Sequence, residues 1–243
     1  MARVFRCRGG YRLRLVLTDS LELKMTTLLS FENVVVHRAK RPVLNGVDLN
    51  VGDGERVVIR GGIGVGKTTL LLTALGLIER ASGNITLMGQ RCSDDSDFAK
   101  LRGEVGLLFQ DPDDQLIGPT VLEDIEFGPL NLGWSAERAH HAADIALDHV
   151  GLNELAERPV HELSGGEKRL VALAGLLAMA PKLLLLDEPT ASLDEATSKH
   201  LLNVLQASKL SMLIATHDPL YIEALATRSV VLQAGKLQTD QNR

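Results

Sequence analysis

The chain has 243 residues, of which 45% are apolar and 23% charged, and its net charge is −5. That length supports one sizeable hydrophobic core rather than two large domains. The negative balance argues against a nucleic-acid-binding protein.

Residues 1–24 differ from the rest. Arg3, Arg6, Arg8, Arg12 and Arg14 crowd the start, with Gly9 and Gly10 among them. Arg-rich starts occur in targeting peptides. Met25, however, opens a segment that leads directly into the first strand. Residues 1–24 are therefore expected to be an upstream start read as coding, poorly ordered and dispensable. The two cysteines, Cys7 and Cys92, lack metal-ligand spacing and read as reduced thiols.

From Leu29 onward strand and helix signals alternate. Strands are expected over 31–36, 46–51 and 57–60, a helix over 68–78, and strands over 84–88 and 105–109. Residues 120–163 read as mostly helical. Ser135 is a candidate N-cap for a helix over 136–150, where Ala139, Ala142, Ala143, Ala146 and Val150 recur at helical spacing. A helix over 167–179, a strand over 183–186, a helix over 194–205, a strand over 212–215, a helix over 219–226 and a strand over 229–232 complete the series. This alternation implies a largely parallel sheet covered by helices. No stretch qualifies as a membrane span: the most apolar region, 170–186, is broken by Pro181 and Lys182. A transport role therefore needs separate membrane partners.

Gly61-Gly62-Ile63-Gly64-Val65-Gly66-Lys67-Thr68 follows the third strand and opens a helix, matching G-x-x-x-x-G-K-S/T in its proper context. Glycines let backbone N–H groups turn inward around phosphate oxygens, and the helix N-terminus adds positive potential. Lys67 can bridge the β- and γ-phosphates of ATP, and the Thr68 hydroxyl can ligate Mg²⁺. The loop and the adjoining Thr69 are candidate nucleotide contacts. A plain glycine-rich turn does not account for Lys67 and Thr68.

Four leucines, 183–186, precede Asp187 and Glu188. A continuous apolar run is the mark of a buried parallel strand, and carboxylates at its C-terminal end fall where open α/β sheets bind ligands. Asp187 is placed to hold Mg²⁺ and Glu188 to orient or deprotonate the attacking water. Upstream of that strand, Leu163-Ser164-Gly165-Gly166-Glu167 puts a serine and two glycines at a helix start, which makes a second anion site. One chain cannot easily direct both sites at one γ-phosphate, whereas a second copy can. A head-to-tail dimer with ATP at its interface is the expectation.

With these motifs in place, the sequence resembles the ATP-binding subunits of ABC transporters over about residues 28–243. Residues 163–167 are similar to the family's signature motif, Gln110 to its Q-loop glutamine, Ala191-Ser192-Leu193-Asp194 to its D-loop, and His217 to its switch histidine. The resemblance implies an α/β fold of the P-loop NTPase type. That fold has a mostly parallel core sheet, a small antiparallel β subdomain and a helical subdomain over about 111–165. It further implies ATP sandwiched between the phosphate loop of one subunit and Ser164, Gly165 and Gly166 of another. Gln110 would sense Mg²⁺ and the membrane subunit, Glu188 would be the catalytic base, His217 would contact the γ-phosphate, and Asp194 would act across the dimer. The pair is either two copies of this chain or this chain with a paralogue. One departure stands out: where the family places an aromatic residue to stack on adenine, this chain has His37 and Arg38, either of which presents a flat face.

Residues 109–116 and 121–129 are similar to the ATPases of energy-coupling-factor importers, including the cobalt and nickel group. That likeness implies a subunit on the cytoplasmic face of the inner membrane, partnered by a membrane-embedded coupling subunit and a substrate-binding membrane protein. His140 and His141, adjacent on one helix, point in different directions and read as solvated rather than as metal ligands. A non-transport ABC ATPase is the rival reading, but such proteins generally carry two fused domains or a coiled-coil insertion. An exporter ATPase is often fused to membrane spans.

Overall fold

The computed structural model describes residues 26–39 and 41–239. The expectation for residues 1–24, and Cys7, lie outside the described residues. In chain order the elements are β1 (Thr27–Arg38), β2 (Arg41–Gly52), β3 (Arg56–Arg60), α1 (Lys67–Ala74), β4 (Ser82–Leu87), β5 (Gln90–Cys92), α2 (Asp95–Ala99) and β6 (Val105–Leu108). They continue with α3 (Val121–Asn131), α4 (Ala136–Val150), α5 (Gly165–Ala178), β7 (Leu183–Asp187), α6 (Glu195–Ser208), β8 (Ser211–Ala215), α7 (Pro219–Leu225), β9 (Arg228–Gln233) and β10 (Lys236–Thr239).

Two sheets result. A four-stranded antiparallel sheet has the order β2-β1-β4-β5, and a six-stranded sheet has the order β10-β9-β3-β8-β7-β6. In the second sheet β9, β3, β8, β7 and β6 run parallel, and β10 is antiparallel at the edge. The expected mostly parallel core sheet with a smaller antiparallel sheet is what the chain forms.

The four leucines of β7 divide between two cores. Leu183 and Leu185 join a core built on the antiparallel sheet and α1, while Leu184 and Leu186 join one built on α3, α4, α5, α6 and α7. Val57 and Ile59 against Val58 on β3, and Leu213 and Ala215 against Met212 and Ile214 on β8, split the same way. This is the period-two alternation of a strand buried on both faces. Each leucine is fully buried, a burial that stabilises by about 1.5–3 kcal/mol per side chain. Because β3, β7 and β8 lie side by side, their C-terminal ends open together on one edge.

Local chemistry fixes most helix ends. Ser135 caps α4 by accepting from the Arg138 N–H at 3.3 Å, and Gly151 closes the helix. Ala139, Ala143, Ala146, Leu147 and Val150 are its buried side, and Ala142 is half-buried. The helix expected over 68–78 stops at Ala74 instead. Gly76 takes a φ of 72° and lets the Leu77 N–H return to Leu72 O at 3.0 Å, so the last carbonyls find donors.

Three short elements were not expected: β5, α2 and β10. Both edge strands follow two-residue turns, Met88-Gly89 and Ala234-Gly235, with positive φ at both positions. Among the described residues no helix is long and apolar enough to cross a membrane.

Candidate active site

β3 delivers the chain to the phosphate loop and α1 carries it away. Gly66 turns the corner at a φ of 109°; a Cβ there would lie 2.7 Å from Val43 Cγ1 on β2. A glycine is therefore required both by the backbone angle and by the close approach of the β2 strand. Lys67 is the first residue of α1 and only 8% exposed. Its ammonium group donates to Gly61 O at 2.9 Å and Gly62 O at 3.2 Å, and lies 3.2 Å from Glu188 Oε1. The unpaired N–H groups of the first helical turn face the same space.

Asp187 ends β7 and is 4% exposed. Burial pushes its carboxyl above the usual carboxylate range, against a hydrogen bond from Thr68 and the charges of Lys67 and Arg169. Asp187 Oδ1 is buried without a protein hydrogen-bond partner. Buried carboxylate oxygens rarely stay unpaired. One beside a threonine hydroxyl is the donor set a hard divalent cation takes, so these residues fit Mg²⁺.

Glu188 follows in the left-handed region at a φ of 42°, a conformation costing about 1–2 kcal/mol for a residue with a side chain. Its N–H is fastened to Ala215 O at 2.8 Å, and the turn aims its carboxylate back at the loop. Glu188 Oε1 faces Lys67, and Oε2 lies 3.0 Å from His217 Nδ1, just beyond β8.

These groups surround a cleft of about 380 Å³, whose walls include Ile63, Gly64, Gly66, Lys67, Thr68, Thr69, Gln110, Asp187, Glu188 and His217. Gly61, Gly62 and Val65 complete the loop without lining the cleft. A cation, an unpaired carboxylate oxygen, a second carboxylate and an imidazole can together receive a polyphosphate and activate water. Ala191, the first residue of the D-loop-like stretch, also lines this space, as does Val43, which was missed in the sequence. His37 and Arg38 stand exposed at the end of β1, in register with Pro42 and Arg41, and do not line the cleft.

The remaining expected residues lie elsewhere. Ser164 caps α5 in a reciprocal arrangement: its Oγ accepts from the Glu167 N–H at 3.3 Å, and Glu167 Oε2 accepts from the Ser164 N–H at 2.8 Å. Ser164 and Gly165 are exposed and Gly166 packs on Thr197; none of the three lines the 380 Å³ cleft. Gly165 lines a neighbouring cleft of about 720 Å³, which shares Thr68, Gln110, Asp187 and Ala191 with the first. Asp194 caps α6, accepting from the Thr197 N–H at 2.9 Å and hydroxyl at 2.7 Å. These backbone and hydroxyl donors hold its carboxyl below the usual range.

Arg169, one turn into α5, was also missed. It sits in the larger cleft at 2% exposure and donates to the carbonyls of Phe109, Gln110 and Ala191. Its spacing with Leu173 and Leu176 is the signal that places it on the inward face of the helix. His140 pairs across to Glu126 on α3 at 2.6 Å, and both His140 and His141 are exposed.

Residues 44–191 match the family model for ABC transporters. A protein of Brucella suis, named provisionally as an ABC transporter ATP-binding protein, is 51% identical over 213 residues, spanning 88% of this chain and 89% of that protein. The energy-coupling factor transporter ATP-binding protein EcfA of Methanosphaera stadtmanae is 42% identical over 206 residues, spanning 81% of this chain and 74% of the relative. Among solved structures, cbiO1 of Clostridium perfringens, part of the transporter complex cbiONQ, superposes with a TM-score of 0.77 at 34% identity. That superposition covers 88% of this chain and 87% of cbiO1.

Proposed function

Because the chain belongs to the ABC transporter family, we propose that it is the ATP-hydrolysing subunit of an importer of the energy-coupling-factor type. The ATP-binding domains of this family are ATPases that dimerise and work with membrane subunits. The observation that carries the reading of this chain's own site is the meeting of Lys67, Asp187, Glu188 and His217 around one 380 Å³ cleft.

ATP enters with its phosphates on the loop and on the first turn of α1. Lys67 and the helix N-terminus offset phosphate charge. Thr68 and Asp187, with Gln110 nearby, would hold Mg²⁺, which would supply charge neutralisation for the phosphates. Glu188 orients a water and takes its proton at a carboxylate oxygen while the water oxygen bonds to the γ-phosphorus. The bond from that phosphorus to the β–γ bridging oxygen breaks, releasing ADP and inorganic phosphate. His217 presents Nδ1 to Glu188 Oε2; in the imidazolium form, which carries a proton on both ring nitrogens, Nε2 can also donate to the γ-phosphate.

Ser164, Gly165 and Gly166 do not line the 380 Å³ cleft, and this supports their use on the ATP of a second subunit, with Asp194 beside them. The likeness to EcfA and cbiO1 supports an importer, with a transition metal such as cobalt or nickel, or a vitamin, as cargo. The chain then lies on the cytoplasmic face of the membrane. Gentle solubilisation from native membranes, followed by mass spectrometry of what a C-terminal tag retains, tests this. Recovery of a helical coupling subunit with a small substrate-binding membrane protein supports the importer, whereas recovery of soluble partners alone overturns it.

A further inference from the structure

Three segments around the cleft meet on one side chain outside the expected motifs. Arg169 points inward from α5, where its guanidinium donates through Nη1 to Phe109 O and through Nη2 to Gln110 O. Nη2 also reaches Ala191 O at 3.5 Å. Asp187 and Asp111 are the anionic groups near its charge, together with the Tyr221 phenol. A cation at 2% exposure is costly to bury unless its donors are used. Here both Nη groups are spent on the backbone of two loops, while Nε is buried without a hydrogen-bond partner. Two consecutive carbonyls of a turning loop suit a planar fork, and an ammonium group cannot reproduce that geometry.

Two further links fasten the same loop to the same helix. Lys168 Nζ lies 2.6 Å from Asp113 Oδ1. Gln115 donates to Ala172 O at 3.3 Å and accepts from the Phe109 N–H at 3.1 Å. Residues 109–115 are thus tied to α5 at positions 168, 169 and 172, within two turns of Ser164. Arg169 alone also reaches the segment that leads to Asp194.

We propose that Arg169 is a positioning residue for ATP hydrolysis: its guanidinium sets the backbone of Gln110 and of Ala191 against the cleft. The loop bearing Gln110, the segment leading to Asp194 and the helix headed by Ser164 then keep one spacing, and a shift of α5 moves all three. This rests on the reading of the cleft as an ATPase site.

The test uses the purified full chain with Arg169→Lys, Lys168→Met and Glu188→Gln measured side by side. Arg169→Lys keeps the charge and loses the fork. It should lower kcat by about tenfold or more while a fluorescent ATP analogue binds within about twofold of wild type. The Mg²⁺ concentration for half-maximal turnover should rise, since Gln110 and Asp187 border the displaced backbone. Lys168→Met loosens the same loop from the surface and should lower kcat by about two- to threefold with binding unchanged. That variant decides the matter if Arg169→Lys does not fold. Wild-type kcat and Mg²⁺ dependence in the folded Arg169 and Lys168 variants overturns the proposal. So does a fall in kcat matched by an equal loss of analogue affinity. Turnover surviving in Glu188→Gln overturns the ATPase assignment of Glu188 instead, and so separates the two failures.

Discussion

Glu188 Oε2 lies 3.0 Å from His217 Nδ1 across 29 positions of sequence. The register of β7 on β8, which pairs Asp187 with Ala215, brings the two ends together. If Glu188 takes the proton of the attacking water, Glu188→Gln should lower kcat by about 10²- to 10⁴-fold. The glutamine is close to isosteric, so ATP binding and ATP-driven dimers should persist in gel filtration. Turnover at the wild-type rate would remove Glu188 from the role of base.

Gly66→Ala should abolish ATP binding without unfolding the chain. The new methyl group meets Val43 Cγ1 at 2.7 Å and the backbone already stands at a φ of 109°. The loop must therefore shift where its N–H groups are needed. Equilibrium binding of ATP checks this, and an unchanged affinity contradicts it. Adding Val43→Ala should restore little, since shaving the valine does not relieve the φ angle.

Ser164 offers a separation of stability from assembly. Ser164→Ala removes the acceptor of the cap on α5 and should cost about 1 kcal/mol in denaturant unfolding. Ser164→Arg adds a bulky cation to an exposed helix start. It should block ATP-driven dimers while sparing nucleotide binding by the monomer. Dimers that persist in light scattering with Ser164→Arg count against the shared-site arrangement.

His140 gives a pH dependence away from the cleft. Its hydrogen bond to Glu126, with Asp144 and Glu157 nearby, holds its pKa above the usual histidine value. A raised folded-state pKa means the contribution is fully present below the unfolded pKa, about 6.5, and is lost as pH rises through the folded value. The deficit in Tm of His140→Ala should therefore be larger at about pH 6 than at about pH 9. An equal deficit at both values refutes this link between α3 and α4.

Much of the sheet was legible because its strands are buried on both faces and carry unbroken apolar runs, as in β7. The motifs at their ends could be read because glycine, lysine and paired acids are unusual at a strand exit. The edge strands β5 and β10 gave no such pattern. Lys236–Thr239 is mostly exposed, and the turn before β5 uses Met88 at a φ of 51°, a residue that does not advertise a turn. Arg169 escaped notice because it follows Glu167 and Lys168, and a run of charges reads as a solvated face. Its partners are carbonyls up to 60 positions away, which no local pattern reveals. The adenine side is the other gap: His37 and Arg38 are exposed, while Val43, an ordinary strand residue by sequence, lines the cleft.

The division of the β7 leucines between two cores has a consequence for how the molecule opens. Its backbone is bonded on one edge to β6 and on the other to β8, and its side chains lock into both apolar layers. Peeling away the antiparallel sheet, or loosening the helices on the far side, exposes only one face of the strand. Amide protons of Leu184 to Leu186 should therefore exchange with solvent only when the whole chain unfolds. Asp187 and Glu188 are anchored at the last part of the protein to come apart. Ser164 stands on an exposed helix start that can breathe with the helices around it.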